Sequence, residues 1–364
     1  MSSLRTFCSQ ANCGSFGPDH ALRPLWKRSA SRERWEKRLR PALTAEWRKL
    51  LGYPSCESSE WIGPIHNVGV MEGPEFHASA HLQPSGPNGQ MQKVIILRPH
   101  RLYAKRVPCA VVPFYHAEPM AGLESDAFEK ELKMATPPLQ HERELRFGLH
   151  LVRMGMIVAC VEAFPYNTVA DPGGDRVRWW HKGAARLLES HPHWSGIGKL
   201  AADTSLALDL LLEQPGVDLR RVLALGHSLG GKMAFYAGAL DSRVTCVIGS
   251  DFGMPWRATN WDAPWYYGES RVSRAEAEGL AHHQLLALLA PRPFLLLAGE
   301  TDTVEAWQYI EAARPVYALY GAKTQLGCLH HATGHDPSRN VLDLAYGWLG
   351  EVFRLPHRRW RDEA

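Results

Sequence analysis

The stretch Val222-Leu-Ala-Leu-Gly-His-Ser-Leu-Gly-Gly-Lys-Met-Ala-Phe-Tyr-Ala-Gly238 decides how the rest of the chain is read. Val222 to Leu225 is an apolar run of the length of a buried strand. Leu229 to Ala239 is rich in Ala, Met and Leu and reads as a helix. Between them Gly226-His227-Ser228-Leu229-Gly230 forms a G-x-S-x-G. A serine hydroxyl is a weak nucleophile and has to stand where a base reaches it. A sharp strand-to-helix turn achieves this by crowding the backbone, and glycines two before and two after the serine remove the Cβ atoms that would clash. The turn also aims the first N–H groups of the helix at the site. The pentapeptide alone is a weak signal; the strand before it and the helix after it make it specific.

Outward from this stretch the chain alternates. From about residue 140 helical and strand-like segments follow one another: Glu142–Arg153 then Met156–Val161, Leu200–Glu213 then Val222–Leu225, Met233–Leu240 then Val244–Ile248, Leu280–Leu289 then Phe294–Ala298, Val304–Tyr317 then Thr324–Leu329, with Val341–Phe353 last. Such alternation implies a mostly parallel sheet covered by helices on both faces. Residues 61–115 have a different period. Ile65–Met71, Glu75–Leu82, Met91–Leu97 and Ala110–Phe114 are separated by turn residues and read as antiparallel strands leading into the sheet. Nearer the N-terminus, Trp35, Leu39, Leu43, Trp47 and Leu51 recur every four residues and predict an amphipathic helix over 31–51, kinked or divided at Pro41. The expected organisation is an N-terminal helical extension (1–60), one catalytic α/β domain (61–356) and a basic tail (357–364).

Two segments break the alternation, 164–198 with Trp179, Trp180 and Trp194, and 251–272 with Trp256, Trp261, Trp265, Tyr266 and Tyr267. Both follow strands, and loops at the carboxyl ends of strands build the site in open α/β sheets. They are expected to be lids or substrate loops overhanging Ser228. Trp180, Trp261, Trp265, Tyr266 and Arg176 are the candidate substrate-binding residues, suited to a flat amphipathic ligand such as a sugar ring. Arg178 and Arg257 join Arg176 as candidates for a substrate carboxylate.

A serine nucleophile needs a base, and the base an orienting acid. Gly299-Glu300-Thr301-Asp302 follows the Phe294–Ala298 strand, and His330-His331-Ala-Thr-Gly334-His335 follows the strand after it. With these motifs the chain resembles serine esterases of the α/β-hydrolase superfamily, on the dienelactone-hydrolase-like and acetyl-xylan-esterase-like branch. The resemblance rests on residues 226–232, 290–302 and 334–335 and spans roughly 105–355. It implies Ser228 as nucleophile, Asp302 as acid and His335 as base. On placement alone, Asp251 and Glu300 remain alternative acids, and His330 and His331 rival bases. Serine stands where dienelactone hydrolases proper carry cysteine, which points to ordinary carboxylic ester hydrolysis. The oxyanion donors are assigned to the backbones of Leu229 and Tyr115. Pro113 is unusual for a central strand.

The bulk properties fit this reading. A chain of 364 residues, 45% hydrophobic and 22% charged, suits a soluble globular protein with a sizeable core. A net charge of +3 is too small to argue for nucleic acid. No apolar run is long enough for a membrane span, and the N-terminus lacks the apolar core of a leader peptide. Seven scattered cysteines suit a reducing, cytoplasmic setting, with a secreted protein that has lost its leader as the alternative. The histidine pairs lack the spacing of a hydrolytic zinc site, and there is no nucleotide-binding glycine loop, so neither metal nor cofactor is expected. The expected activity is carboxylic ester hydrolysis on a short-acyl or carbohydrate ester. A serine peptidase and a non-catalytic binding protein of the same fold are the alternatives.

Overall fold

The computed structural model describes residues 22–26, 29–52, 63–86, 89–124, 127–128, 145–165, 176–356 and 359–361, with 176–181 described by backbone only. The nine strands form one sheet among the described residues: β1 (His66–Glu72), β2 (Phe76–Pro84), β3 (Met91–Pro99), β4 (Val107–Phe114), β5 (Ile157–Glu162), β6 (Val217–His227), β7 (Cys246–Ser250), β8 (Phe294–Ala298) and β9 (Leu326–His330). Their order is β1-β2-β3-β5-β4-β6-β7-β8-β9. The first three strands pair antiparallel, β3 pairs antiparallel to β5, and the block from β5 to β9 is parallel.

The main helices among the described residues are α1 (Arg40–Leu51), α2 (Ala117–Ala121), α3 (Phe147–Arg153), α4 (Arg176–Ser190), α5 (Gly196–Leu212), α6 (Leu229–Leu240), α7 (Glu269–Ala277), α8 (His283–Leu289), α9 (Ala306–Leu319) and α10 (Arg339–Phe353). Every residue of β5 is buried, as expected of a strand covered on both faces. Because side chains alternate along a strand, the sheet carries two cores. Val111, Ala159, Val222, Ala224 and Val247 belong to one, with α5, α6 and α8. Ala110, Val112, Val158, Leu223 and Ile248 belong to the other, with α3 and α10. Among the described residues no helix is long and apolar enough to cross a membrane.

The N-terminal helix belongs to the first core. Trp35, Leu43, Trp47 and Leu51 are buried in it, and Leu39 packs against it. Trp47 stacks on Trp256 with ring centroids 6.0 Å apart, and its indole N–H donates to Gln284 Oε1. Arg32–Arg34 leads into a π turn, Trp35–Leu39, before α1. Pro41 has no N–H to bond back one turn, and the wide turn just before it absorbs the lost bond. Of the expected basic tail, residues 359–361 are described. Its indole Trp360 is buried against α10 and donates to Asp343 Oδ1 at 2.7 Å.

β4 lies at the point where the connections reverse, with β5 on one side and β6 on the other. The crevice outside the carboxyl ends at such a point is where open α/β sheets bind ligands. Pro113 is tolerated there. Its carbonyl faces Gly230, so its missing donor also faces the β6 side, past Val111↔Ala224, the last pair of that ladder.

Candidate active site

Ser228 sits between β6 and α6 with φ 51° and ψ −116°, a conformation that L residues avoid. Its N–H donates to Ser250 O on β7, which ties the strained turn to the next strand. The two motif glycines are required by space. A Cβ on Gly226 would lie 2.1 Å from Gly230 O, and one on Gly230 would lie 2.0 Å from Pro113 O. The second contact packs the end of β4 against the turn, close to Tyr115. The N–H groups of Leu229 and Gly230 open α6 and have no partner within the helix.

His335 is half-buried, with its ring 4.5 Å from that of His227, the residue before Ser228. Its Nδ1–H donates to Asp251 Oδ2 at 2.6 Å. The hydrogen bond to Asp251 raises the His335 pKa above the usual value, against burial. Asp251 follows β7 directly and holds φ 41°, a left-handed conformation that Asp tolerates better than most residues. It is fully buried and also accepts from the backbone N–H groups of Gly299, Thr301 and Asp302. Burial opposes its charge, but His335 and these three donors hold the carboxyl down at about 2. Gly299 makes the approach possible, since a Cβ there would lie 2.4 Å from Gly334 O and 2.8 Å from Asp251 Cγ.

Asp302, expected as the acid, points elsewhere. Its carboxylate accepts from the backbone N–H groups of Phe252, Gly253 and Met254. Burial pushes its carboxyl up to about 6, with the field of Asp251 acting in the same direction. Glu300 is exposed, and its backbone N–H donates to Gly334 O. Of the three carboxylates weighed from the sequence, Asp251 is the one bonded to His335. The rival histidines are placed apart: His330 is exposed at the end of β9, and His331 bonds Thr333 Oγ1. His227 is buried, bonded to Ser250 Oγ and paired with Asp336 at 3.2 Å, so it anchors the loop that carries His335.

The aromatic segment is a second correction. Trp261 is fully buried and donates to Gly253 O, and Tyr266 is buried beside it. Tyr267, Tyr236 and His282 form a buried chain of hydrogen bonds that ends on Met254 O. These rings pack against Trp47 and α6 as core, because flat polar-edged rings fill a wide gap while their N–H and O–H groups find partners. Trp265 is half-buried and keeps some ring surface. Arg257 is already held by Glu269 and Glu276. The backbones of Arg176 and Trp180 are helical in α4, so the 164–198 segment is partly a helix; their side chains lie outside the described residues, as do residues 166–175.

Sequence reasoning assigned no role to Lys232, one turn after Ser228. It is buried, with its ammonium 4.7 Å from the Trp261 ring centre and 4.8 Å from that of Tyr266. Burial pushes its pKa down to about 7, against the fields of Asp302 and Asp251. A second unforeseen cluster lies under the Tyr115 turn. Lys93 reaches Glu118 at 2.6 Å and Glu162 at 3.5 Å, and His116 Nδ1–H donates to Glu162 Oε1 at 2.9 Å. All four side chains are buried, and together they pin the residue after Tyr115 to the end of β5. The histidine pair His282 and His283 is taken up by hydrogen bonds to Met254 O and Arg23 O. Away from this site, Glu72, His77 and His100 bring possible metal-ligand atoms within 4.8 Å of one another.

A strained serine at the switch point, a histidine near it and a buried carboxylate bonded to that histidine have the residue types that a nucleophile, base and orienting acid require. The chain has the α/β-hydrolase fold. A glucuronoyl esterase from Solibacter usitatus shares it with a TM-score of 0.68 and 18% identity, over 91% of this chain and 97% of that one. No family model matches the sequence. Among curated proteins, the carbohydrate esterase MZ0003 of an unknown prokaryotic organism is 30% identical over 124 residues, 30% of this chain and 29% of that protein. A 4-O-methyl-glucuronoyl methylesterase of Neurospora crassa is 26% identical over 149 residues, 33% of this chain and 37% of that protein. The chain thus spans only 29% and 37% of the length of these two relatives.

Proposed function

We propose that this protein is a serine carboxylesterase acting on a carbohydrate ester. The observation that carries the reading is the 2.6 Å bond from His335 to buried Asp251, with the His335 ring tilted against that of His227, the residue before the strained Ser228. In this reading the Ser228 hydroxyl attacks the ester carbonyl while His335 Nε2 takes its proton. The N–H of Leu229 and the backbone at Tyr115 stabilise the oxyanion. The tetrahedral adduct collapses, the alcohol leaves with the proton from His335, and an acyl-Ser228 remains. Water, deprotonated by His335, then releases the acid and restores the serine. Asp251 keeps the ring in the tautomer with Nε2 free and stabilises the imidazolium. The names of the similar proteins support a sugar-bearing substrate.

The test is hydrolysis of a glucuronic acid methyl ester, an acetylated xyloside and p-nitrophenyl acetate by wild type and Ser228→Ala. A sugar ester should have the highest kcat/KM, and Ser228→Ala should lose a factor of order 10⁴ to 10⁶ in kcat on all three. A sugar ester no better than p-nitrophenyl acetate would overturn the substrate class. A Ser228→Ala variant that keeps more than about a tenth of the activity would overturn the nucleophile.

A further inference from the structure

Three side chains meet at the far end of the sheet from Ser228. Glu72 ends β1, His77 lies near the start of β2, and His100 follows β3. The pairs Glu72↔His77 and His77↔Arg98 bring them to one edge. Since β3 runs antiparallel to β5, this edge lies at the amino ends of the parallel strands. It is remote from the carboxyl ends where Ser228 and His335 sit.

Their hydrogen bonds fix both tautomers. His100 Nε2 lies 2.9 Å from Gly73 O, and a carbonyl only accepts, so this nitrogen carries a proton. His77 Nδ1 lies 2.7 Å from Glu72 Oε1, and an exposed carboxylate only accepts, so this nitrogen carries one too. In the neutral rings that leaves lone pairs on His100 Nδ1 and His77 Nε2. These two atoms face each other 3.0 Å apart. Two lone pairs aimed at one point repel unless something positive lies between them or bridges them.

We propose that His77 Nε2 and His100 Nδ1 are ligands of a divalent transition metal of the zinc class, with Glu72 as the carboxylate partner. Tetrahedral zinc–imidazole bonds of about 2.0–2.1 Å put two ligand nitrogens a little over 3 Å apart, close to the separation seen. Both rings already have the arrangement that metal-bound histidines use, with the second nitrogen donating to a carboxylate or a backbone carbonyl. Neutral imidazoles favour zinc, nickel or copper over magnesium or calcium. Water fills the remaining positions, so the site is a clamp across the β1–β2 hairpin and the end of β3, separate from ester hydrolysis.

The test is titration of chelator-stripped full-length protein with zinc chloride, followed by calorimetry and thermal denaturation. Wild type, His77→Gln, His100→Gln and Glu72→Gln are compared; all three positions are exposed or half-exposed, so the fold should survive. Wild type should bind one more zinc ion than either histidine variant and gain thermal stability with zinc that they do not. Glu72→Gln should weaken that binding about 10- to 100-fold. If wild type and both histidine variants titrate alike, a shared proton holds the two nitrogens together and the metal site is wrong. Activity on esters plays no part in the readout, so the outcome is independent of the proposed hydrolysis.

Discussion

Asp251 and Asp302 cap each other's loops. The Asp251 carboxylate accepts the backbone N–H groups of Gly299, Thr301 and Asp302, while the Asp302 carboxylate accepts those of Phe252, Gly253 and Met254. Two adjacent strand ends, β7 and β8, are thereby locked together, and only the first aspartate has an oxygen left for His335. Removing charge from each residue should therefore have different effects. Asp251→Asn should lower kcat about 10³- to 10⁴-fold by favouring the wrong imidazole tautomer. Asp302→Asn turns an amide NH₂ toward backbone donors, so it should mainly lower the melting temperature. Measuring kcat and Tm for both variants checks this. An Asp302→Asn enzyme more crippled in kcat than Asp251→Asn would return the acid to β8.

The pH dependence follows from the same bond. His335 has to be neutral to take a proton, and Asp251 raises its pKa above the ordinary value of about 6.5. The kcat/KM profile should rise with pH, with its midpoint above about 6.5. In Asp251→Asn the midpoint should fall, because the raising partner has lost its charge. For stability the sign is opposite. A raised histidine pKa stabilises the fold below the unfolded value and loses that contribution as pH climbs through the folded value. A profile whose midpoint stays put in Asp251→Asn would show that another group sets the base.

How far the sequence carried the reading depends on the kind of signal. Strands showed as apolar runs, and the Gly226–Gly230 turn showed because its spacing answers a steric demand that one segment makes alone. The acid was harder. Asp251 and Asp302 both follow strands, and the choice lies in a φ of 41° and in three backbone donors contributed by another loop. A Ser-Asp pair ending a strand was the available hint. The aromatic segment misled for a related reason. Composition gave Trp261 and Tyr266 as rings with polar edges, and such rings line clefts and fill cores alike. Trp261 is buried against Tyr236, Trp256 and His282, rings that themselves pack on Trp47 from a distant part of the sequence, and Tyr266 packs on Trp261. His77 and His100 were invisible because a β-hairpin, not a motif, brings them together.

Ser228 itself stores strain. A non-glycine residue held at φ 51° and ψ −116° costs about 1–3 kcal/mol. Ser228→Gly should remove most of that, less the roughly 0.5–1 kcal/mol that glycine's added unfolded-state freedom costs. Ser228→Ala keeps the strained Cβ. Both variants should be inactive, but Ser228→Gly should melt above Ser228→Ala. Equal melting temperatures would mean that the surrounding bonds, such as Ser228 N–H to Ser250 O, hold the turn without strain.

Lys93 offers the sharpest test of the cluster beneath the Tyr115 turn. It is the cation between Glu118 and Glu162, all of them buried. Burial disfavours each charge. For Lys93 the two carboxylates outweigh it and raise the pKa, and for Glu162 Lys93 and His116 outweigh it and lower the pKa. Glu118 stays raised, with burial dominant. Lys93→Met keeps the length of the side chain and removes the charge, leaving the two buried carboxylates without their ammonium partner. Breaking such a buried pair costs about 3–5 kcal/mol. The carboxylates then bind protons more tightly folded than unfolded, so the variant should be least damaged at low pH and lose more as pH rises through their raised values. Thermal denaturation of wild type and Lys93→Met at pH 5 and pH 8 reads this directly, with the larger gap expected at pH 8. Because His116 is tied to Glu162 and follows Tyr115, kcat should fall more than KM changes under conditions where the variant is folded. A gap in Tm that is the same at both pH values would show that Lys93 contributes packing by its alkyl chain and not charge.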